Sequence, residues 1–579
     1  MFPSLCRGDH KCVRIVLAVL SFSVFASVAS AQTDNWVGSS GNWSDASQWN
    51  NGVPVAGDNI VIATAQANSI DDLNLAISGL TLGNSADTLT ISDGVALNVS
   101  GTISNAGTIN LASAGSNTFL QITGNVSLTG TGEVLMGVNG PEYITGASGT
   151  GTEVLTNSST ISGFGFIGNG AMGLVNDGTI NGNISYGYIF IKVSNAGFSN
   201  NGTVETSGHA LYIQGPPNSF LNYNATTNTL TGGTYIAKSS NIFFAGSASG
   251  ITTLSARVTQ GVDTGLINTT TDSYALANLS SITPTGALTT QVNFTQPGAF
   301  SMLGALNLLP NTVFNVGSVT NISGGTLKGG QWVLGSDLKI TGTPQSILTN
   351  SATVTFSGGT FRNTADGSDA FATMQTNEKT LRIVNRADFT TSVVGLRNTG
   401  QLTVAKGSTM TVAGTGAAYT QTAGKTTMDG MLKGRVAVLD GTYLGAGSIL
   451  GSFQLGSGTT NPMFSVGDAG KSALVTINGG YQQLSGSILS TSIGGTTLGT
   501  QYSQLKVNGA VSLSGGSLAA PLLSGFTPTV GQTFNVLSAK SLIGTFSNST
   551  IAINSSEHFA IFYTATSVVL TVVSGPAAE

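Results

Sequence analysis

A short phrase recurs along this chain: an Asn or Asp, a Gly, a Thr and then an apolar residue. It is complete in Asn176-Asp177-Gly178-Thr179-Ile180 and Asn200-Asn201-Gly202-Thr203-Val204, and trimmed in Gly325-Thr326-Leu327, Gly359-Thr360-Phe361 and Gly441-Thr442-Tyr443. Between such phrases the residues alternate. Val95, Leu97 and Val99 share one face of a strand, and Ala96, Asn98 and Ser100 share the other. The Gly and Asn positions suit turns that need positive φ, which β-branched residues resist. The Gly-Thr steps run 24 residues from 178 to 202 and 34 from 325 to 359. A loose period of this kind fits coils that keep a regular core and vary their loops.

Two all-β architectures accommodate such a pattern, a stacked solenoid or a string of sandwiches. Sandwiches would show linkers and composition shifts about every 100 residues, and none is visible between 60 and 500. Disorder is excluded by composition. The 579 residues include 79 glycines, yet only 13 prolines and 8% charged residues, and the mean hydropathy is +0.23. That leaves ample apolar surface to bury. At about 20–25 residues per coil, residues 32–579 predict about 22–27 coils and a rod of about 100–130 Å. Only 370–376 offers a turn of helix.

Residues 1–31 have the form of a secretory signal. Arg7, Lys11 and Arg14 make a positive start, 15–26 is apolar, and Ala29-Ser30-Ala31 gives a small-x-small cleavage site before Gln32. Cleavage removes both cysteines, Cys6 and Cys12. It also removes Arg7, Lys11, Arg14 and Asp9, leaving 17 basic and 24 acidic residues, a net charge of −7. That balance is wrong for nucleic acid, whose phosphates need clustered cations. No later apolar run reaches membrane length, so no membrane insertion of the mature chain is expected. Export could end in the periplasm, at the cell surface or in the medium.

Four segments follow: the signal over 1–31, an N-terminal cap over 32–62, coils over 63–500 and a closing segment with its own cap over 501–579. Solenoids need caps because an open end exposes unpaired strand edges. Trp36, Trp43 and Trp49 crowd the first cap, and Phe526, Phe534, Phe546, Phe559, Phe562 and Tyr563 crowd the second.

The stretch Tyr419-Thr420-Gln421-Thr422-Ala423-Gly424, followed by Leu439-Asp440-Gly441-Thr442-Tyr443-Leu444-Gly445-Ala446-Gly447-Ser448-Ile449, resembles autotransporter-associated β-strand repeats. So does Phe464-Ser465-Val466-Gly467-Asp468 with 474–481. The segments 502–507 and 526–534 look like the part that often closes such exoproteins. The resemblance covers about 395–575 and implies a right-handed parallel β-helix, with aromatic-rich caps, exported to a bacterial surface or beyond. A translocator barrel, which an autotransporter would carry at its C-terminus, is not expected within these residues.

Few strings carry chemistry. Gly168-Asn169-Gly170-Ala171-Met172-Gly173 matches a dinucleotide fingerprint but leads into a strand-like stretch rather than the helix that fingerprint requires. Gly467-Asp468-Ala469-Gly470-Lys471-Ser472 lacks the first glycine of a phosphate loop. After the signal, His209 and His558 are the remaining histidines; one reads as a turn residue and the other as cap packing. No cofactor is expected, and Asp71-Asp72, Asp263 and Asp272 are thin as cation ligands. The densest charge lies between Arg362 and Asp388. There, Asp366 and Asp369 are candidate glycan contacts, alongside the three N-terminal tryptophans, whose rings could stack on sugars.

The expectation is a non-enzymatic structural or adhesive solenoid that meets glycans or neighbouring cell-surface components through repeated weak polar contacts. A β-helical polysaccharide lyase or hydrolase is the alternative, and would need two or three carboxylates about 5–10 Å apart. A subunit that self-associates end to end into filaments is a third.

Overall fold

The computed structural model describes residues 32–578 except 138, 386, 387, 392, 393, 415 and 417; the signal reading of 1–31 lies outside them. The chain winds as a parallel β-helix with three faces. In the first half a coil crosses one face with a strand such as Asn59–Ile62, a second with Asn68–Asp71 and a third with Leu75–Ile77, then returns to the first with Gly79–Leu82. Each strand pairs in parallel with its counterpart one coil on, as Thr88–Ile91 does with Asn68–Asp71 and Thr108–Leu111.

Among the described residues, the second face stacks 21 strands, from Ser40–Asn42 to Ser517–Ala519. Twenty steps of about 4.8 Å make a ladder of about 100 Å. The coils vary from 17 residues (Lys425 to Thr442) to 32 (Leu505 to Leu537), the slack being taken up by loops. From residue 229 onward some strands bend across the corner between the first two faces. Thr229–Ala237 does so at Gly232 and Gly233, both at positive φ.

Alternation places every second side chain inside. One inner column of the second face runs Leu89, Ile109, Val134, Ile161, Ile180 and Val204 in register, each fully buried. Each such residue contributes about 1.5–3 kcal/mol of apolar burial, so the columns dominate the cohesion of the rod.

The recurring phrase forms the corner between the first and second faces, where its asparagine turns inward. Asn157 Nδ2 donates to Asn176 Oδ1 at 2.8 Å, and Asn176 Nδ2 donates to Asn200 Oδ1 at 2.8 Å. A second ladder repeats the device, Asn350 to Asn377 at 2.8 Å and Asn377 to Asn398 at 2.7 Å. These amides satisfy turn carbonyls that water cannot reach, as Asn176 does for Thr203 O at 3.1 Å. In the Tyr-Thr-Gln phrase the longer Gln421 takes the same place, donating to the carbonyls of Asp440 and Thr442, each at 3.1 Å.

The glycines of the complete phrases need a different explanation from the one their turns suggest. Gly178 and Gly202 are not at positive φ. A Cβ on Gly178 would lie 2.0 Å from Ser159 O, and one on Gly202 would lie 2.1 Å from Gly178 O. Close stacking of one corner on the next excludes a side chain there. Gly325 and Gly441, at φ 74 and 80, do follow the positive-φ rule.

The two ends differ. Trp36, Trp43 and Trp49 pack edge to face at 5.1 and 5.5 Å, and Trp49 Nε1 donates to Trp43 O at 3.0 Å. At the far end the parallel ladder gives way to antiparallel pairing. Thr533–Ser538 pairs with Ser567–Ser574, which pairs with Glu557–Tyr563, and the three-residue strand Thr550–Ala552 closes the sheet. A short last strand leaves little edge for another chain to extend. Phe534 and Phe559, on strands of this layer, face inward and are buried, whereas Phe562 points out.

Candidate functional site

The outward side of the third face carries a column of aromatic rings. Phe119, Tyr143, Phe166, Phe190, Tyr212 and Phe243 occupy equivalent positions on six successive coils. Their centroids are 5.0, 5.2, 4.9, 5.2 and 4.5 Å apart, and successive planes differ by 7–22°. Parallel pairing without large register shifts permits such a stack, because equivalent side chains recur at the strand spacing. The faces of the inner rings are covered by their neighbours, so the column shows its edges to solvent. Tyr188 stands beside it, edge-on to Tyr212 at 5.4 Å and to His209 at 4.6 Å, and is 41% exposed.

Beside the column, the corner leading from the third face back to the first opens into a cleft. One part, of about 550 Å³, is lined by Tyr212, Phe243, Pro216, Pro217, Gln214, Asn218 and Thr269 among others. A second part shares Gln214, Gly215 and Pro216 with it and extends past Lys192, Ser194 and Asn195 to Thr150. Together they follow the corner over six coils, about 24 Å at the strand spacing. Lys192 is the one charged residue among those lining either part. An apolar floor with amides and hydroxyls at its rim suits an uncharged, hydroxyl-rich ligand.

The residues singled out from sequence lie elsewhere. Trp36, Trp43 and Trp49 are 2%, 0% and 5% exposed. Their ring faces are spent on one another, so the sugar-stacking role expected of them has no free surface to act through. Asp366 closes a turn by accepting from Ser368 N at 2.9 Å and Ser368 Oγ at 2.6 Å, which hold its carboxyl below the usual range. Asp369 is half-buried and accepts from Thr360 Oγ1 and Phe371 N, each at 2.8 Å; desolvation pushes its carboxyl up. Thr360 N also donates to Asp337 at 3.0 Å, and Arg362 Nε pairs with Asp337 at 3.1 Å. These residues form one small polar corner, separate from the cleft. Arg386, counted in the same charged stretch, lies outside the described residues.

Among the described residues, no group of three or more His, Cys, Asp or Glu is placed to hold a metal ion, and no helix is long and apolar enough to cross a membrane. Asp72 is engaged by Ser44 N at 2.9 Å, while Asp263 and Asp272 sit at positive φ in turns. Gly170 lies in the cleft wall, and the strand Met172–Asn176 follows it, where a dinucleotide fold would start a helix. His209 is a bend residue, and His558 Nδ1 contacts Gly575 O at 2.8 Å in the closing hairpin.

Sequence reasoning missed the aromatic column, although a signal exists. An aromatic residue precedes a buried aliphatic one in Phe119-Leu120, Tyr143-Ile144, Phe166-Ile167, Phe190-Ile191 and Tyr212-Ile213, at steps of 22–24 residues. That is one coil, so the recurrence of the pair marks a vertical stack.

Fold and cleft together define an elongated parallel β-helix with a one-sided aromatic column. No protein-family profile matches the chain, and no curated protein matches it. Among solved structures, the crystal structure of the Haemophilus influenzae Hap adhesin aligns with it at a TM-score of 0.21 and 12% identity, over 90% of this chain. The chain spans 65% of the length of that protein.

Proposed function

We propose that this chain is an exported adhesive β-solenoid that holds a linear, hydroxyl-rich glycan along the corner cleft. The observation that carries the reading is the lining of the cleft. Proline and aromatic surface lies beside Gln214, Asn218 and Thr269, with a single cation and no carboxylate among the lining residues. The apolar C–H faces of pyranose rings would rest on Pro216, Pro217 and the rims of Tyr212 and Phe243, while hydroxyls meet the amides. Each contact is weak, and strength would come from repetition along several sugar units. Incubating the purified protein with a panel of soluble glycans, scoring retention and released product together, tests this. Retention without product is expected, with about a tenfold loss for Gln214→Ala combined with Tyr212→Ala, as for about 1.4 kcal/mol of lost contact. Equal retention by that variant would sink the reading.

A second reading, glycan cleavage, has one observation in its favour: Asp337, Asp369 and Arg362 meet around Thr360. Paired carboxylates are what general acid–base cleavage of a glycosidic bond requires. Product release abolished by both Asp337→Asn and Asp369→Asn would favour it, and no product from any glycan would remove it.

A further inference from the structure

At the start of the first coil two acids are buried side by side. Asp34 stands in register with Ile60, at a position that later coils fill with Leu80 and Ile103. It is 0% exposed, and neither carboxyl oxygen has a hydrogen-bond partner. Asp58, also buried, accepts from Val55 N at 2.7 Å and from Gln32 N at 3.3 Å. Asn51 and Gln32 are the polar neighbours of Asp34 besides Asp58. Among the described residues, no lysine or arginine is ion-paired with either acid. Two buried carboxyls without a cation are costly, and most buried acids are paired.

We propose that the missing cation is the chain's own: hydrolysis of the Ala31–Gln32 bond leaves an α-ammonium on Gln32 that pairs with Asp58 and Asp34 and locks the first coil. The proposal rests on reading residues 1–31 as a cleaved secretory signal. In that step water adds across the peptide bond, its oxygen going to the Ala31 acyl carbon. The nitrogen stays with Gln32 and takes up a proton. The same nitrogen that donates one N–H to Asp58 in the uncut chain then carries three donors and a positive charge, next to a carboxylate whose own neighbour is Asp34. A charge-assisted pair replaces a single amide hydrogen bond. Removal of the signal would thus also complete the N-terminal cap, tying the order of the first coil to export.

Two measurements test this. N-terminal sequencing of the exported protein should read Gln32 with a free amine. A start elsewhere overturns the proposal at its cleavage site. Separately, recombinant chains that begin at Gln32, or carry Gly-Ser ahead of it, are compared by thermal midpoint and by hydrogen exchange over 33–62. The extended chain should melt a few degrees lower and exchange faster in that segment. In the background of Asp34→Asn with Asp58→Asn the difference should vanish. Equal behaviour of the two natural-sequence chains, or an equal loss in the amide background, overturns the clamp even if cleavage is as expected. Should the doubly substituted chain not fold, acetylation of Gln32 in the chain that begins there removes the charge without touching a side chain. It should reproduce the extended chain, and no effect of acetylation overturns the pairing. A free N-terminal glutamine cyclises through its unprotonated amine, so Gln32 held in the pair should stay uncyclised on storage.

Discussion

Along the third face, the outward column between Phe119 and Phe243 is aromatic, whereas between residues 295 and 362 it reads Thr295, Asn315, Lys339 and Arg362. Beneath these two stretches the interior uses one plan. Buried amides step from Asn157 to Asn176 to Asn200 in one and from Asn350 to Asn377 to Asn398 in the other, at nearly the same distances. The coil is therefore held by inward amides and apolar columns, and the outward column is free to vary. Six aromatic rings at positions the fold leaves open set this stretch apart, and the corner cleft lies beside them and not beside the polar stretch.

The largest expected effect tests the shared interior. Replacing Asn176 or Asn377 with Leu leaves the neighbouring amide and several turn carbonyls without partners, and each should cost about 3 kcal/mol or more. Because coils of a solenoid can open locally, hydrogen exchange in each stretch is a better probe than one global midpoint. Equal losses would sustain the comparison; tolerance in one stretch alone would break it.

A second test concerns pH within and below the aromatic stretch. Burial pushes Asp71 and Glu142 up to about 7, from ordinary values of 3.8 and 4.5. Between those limits the native state binds more protons than the unfolded chain, so these groups lower stability as pH rises from about 4 to 7. Glu142, which directly precedes Tyr143 of the column, can be tested alone: Glu142→Gln should stabilise the chain at pH 8 by about 1–2 kcal/mol and flatten its pH dependence. An unchanged pH profile by urea denaturation would count against it. Smaller again, Phe190→Ala removes contacts to Phe166 at 4.9 Å and Tyr212 at 5.2 Å and should cost about 1–2 kcal/mol. Asn315→Ala, at the corresponding place in the polar stretch, should cost less than about 0.5 kcal/mol.

Much of the scaffold was legible because alternation and glycine-punctuated corners are local features. Val95, Leu97 and Val99 are buried as their spacing predicts, and the Asn-x-Gly-Thr phrase does turn the chain. Its mechanism was not legible. Gly178 is required by Ser159 of the preceding coil, a neighbour 19 residues away that no local rule can see. The site was missed for the same reason. Phe119 and Phe243 are 124 residues apart and belong to one surface only once each intervening coil has a known length. The tryptophans were conspicuous as a cluster in sequence, and clustering is also how a cap fills its core. For Trp43, fully buried, that need consumed the ring.

The smallest effect separates the column from the cleft. Asn315 and Lys339 are in register on adjacent strands, so Asn315→Phe with Lys339→Phe would place two rings at the strand spacing, as Phe166 and Phe190 are placed. A stacked pair adds about 0.5–1.5 kcal/mol, while the change gives up an exposed hydrogen bond from Asn315 to Thr295 at 3.1 Å. The net gain should be about 0.5 kcal/mol, seen as slower exchange over 314–340, with glycan retention unchanged because the grafted rings border no such cleft. A loss of stability would mean that the polar stretch cannot stack rings, and that its polar residues follow from its coil geometry. A gain in glycan retention would move the binding role from the cleft to the rings themselves. Stabilisation without retention would leave the column as the wall that holds the cleft open and the cleft as the part that binds.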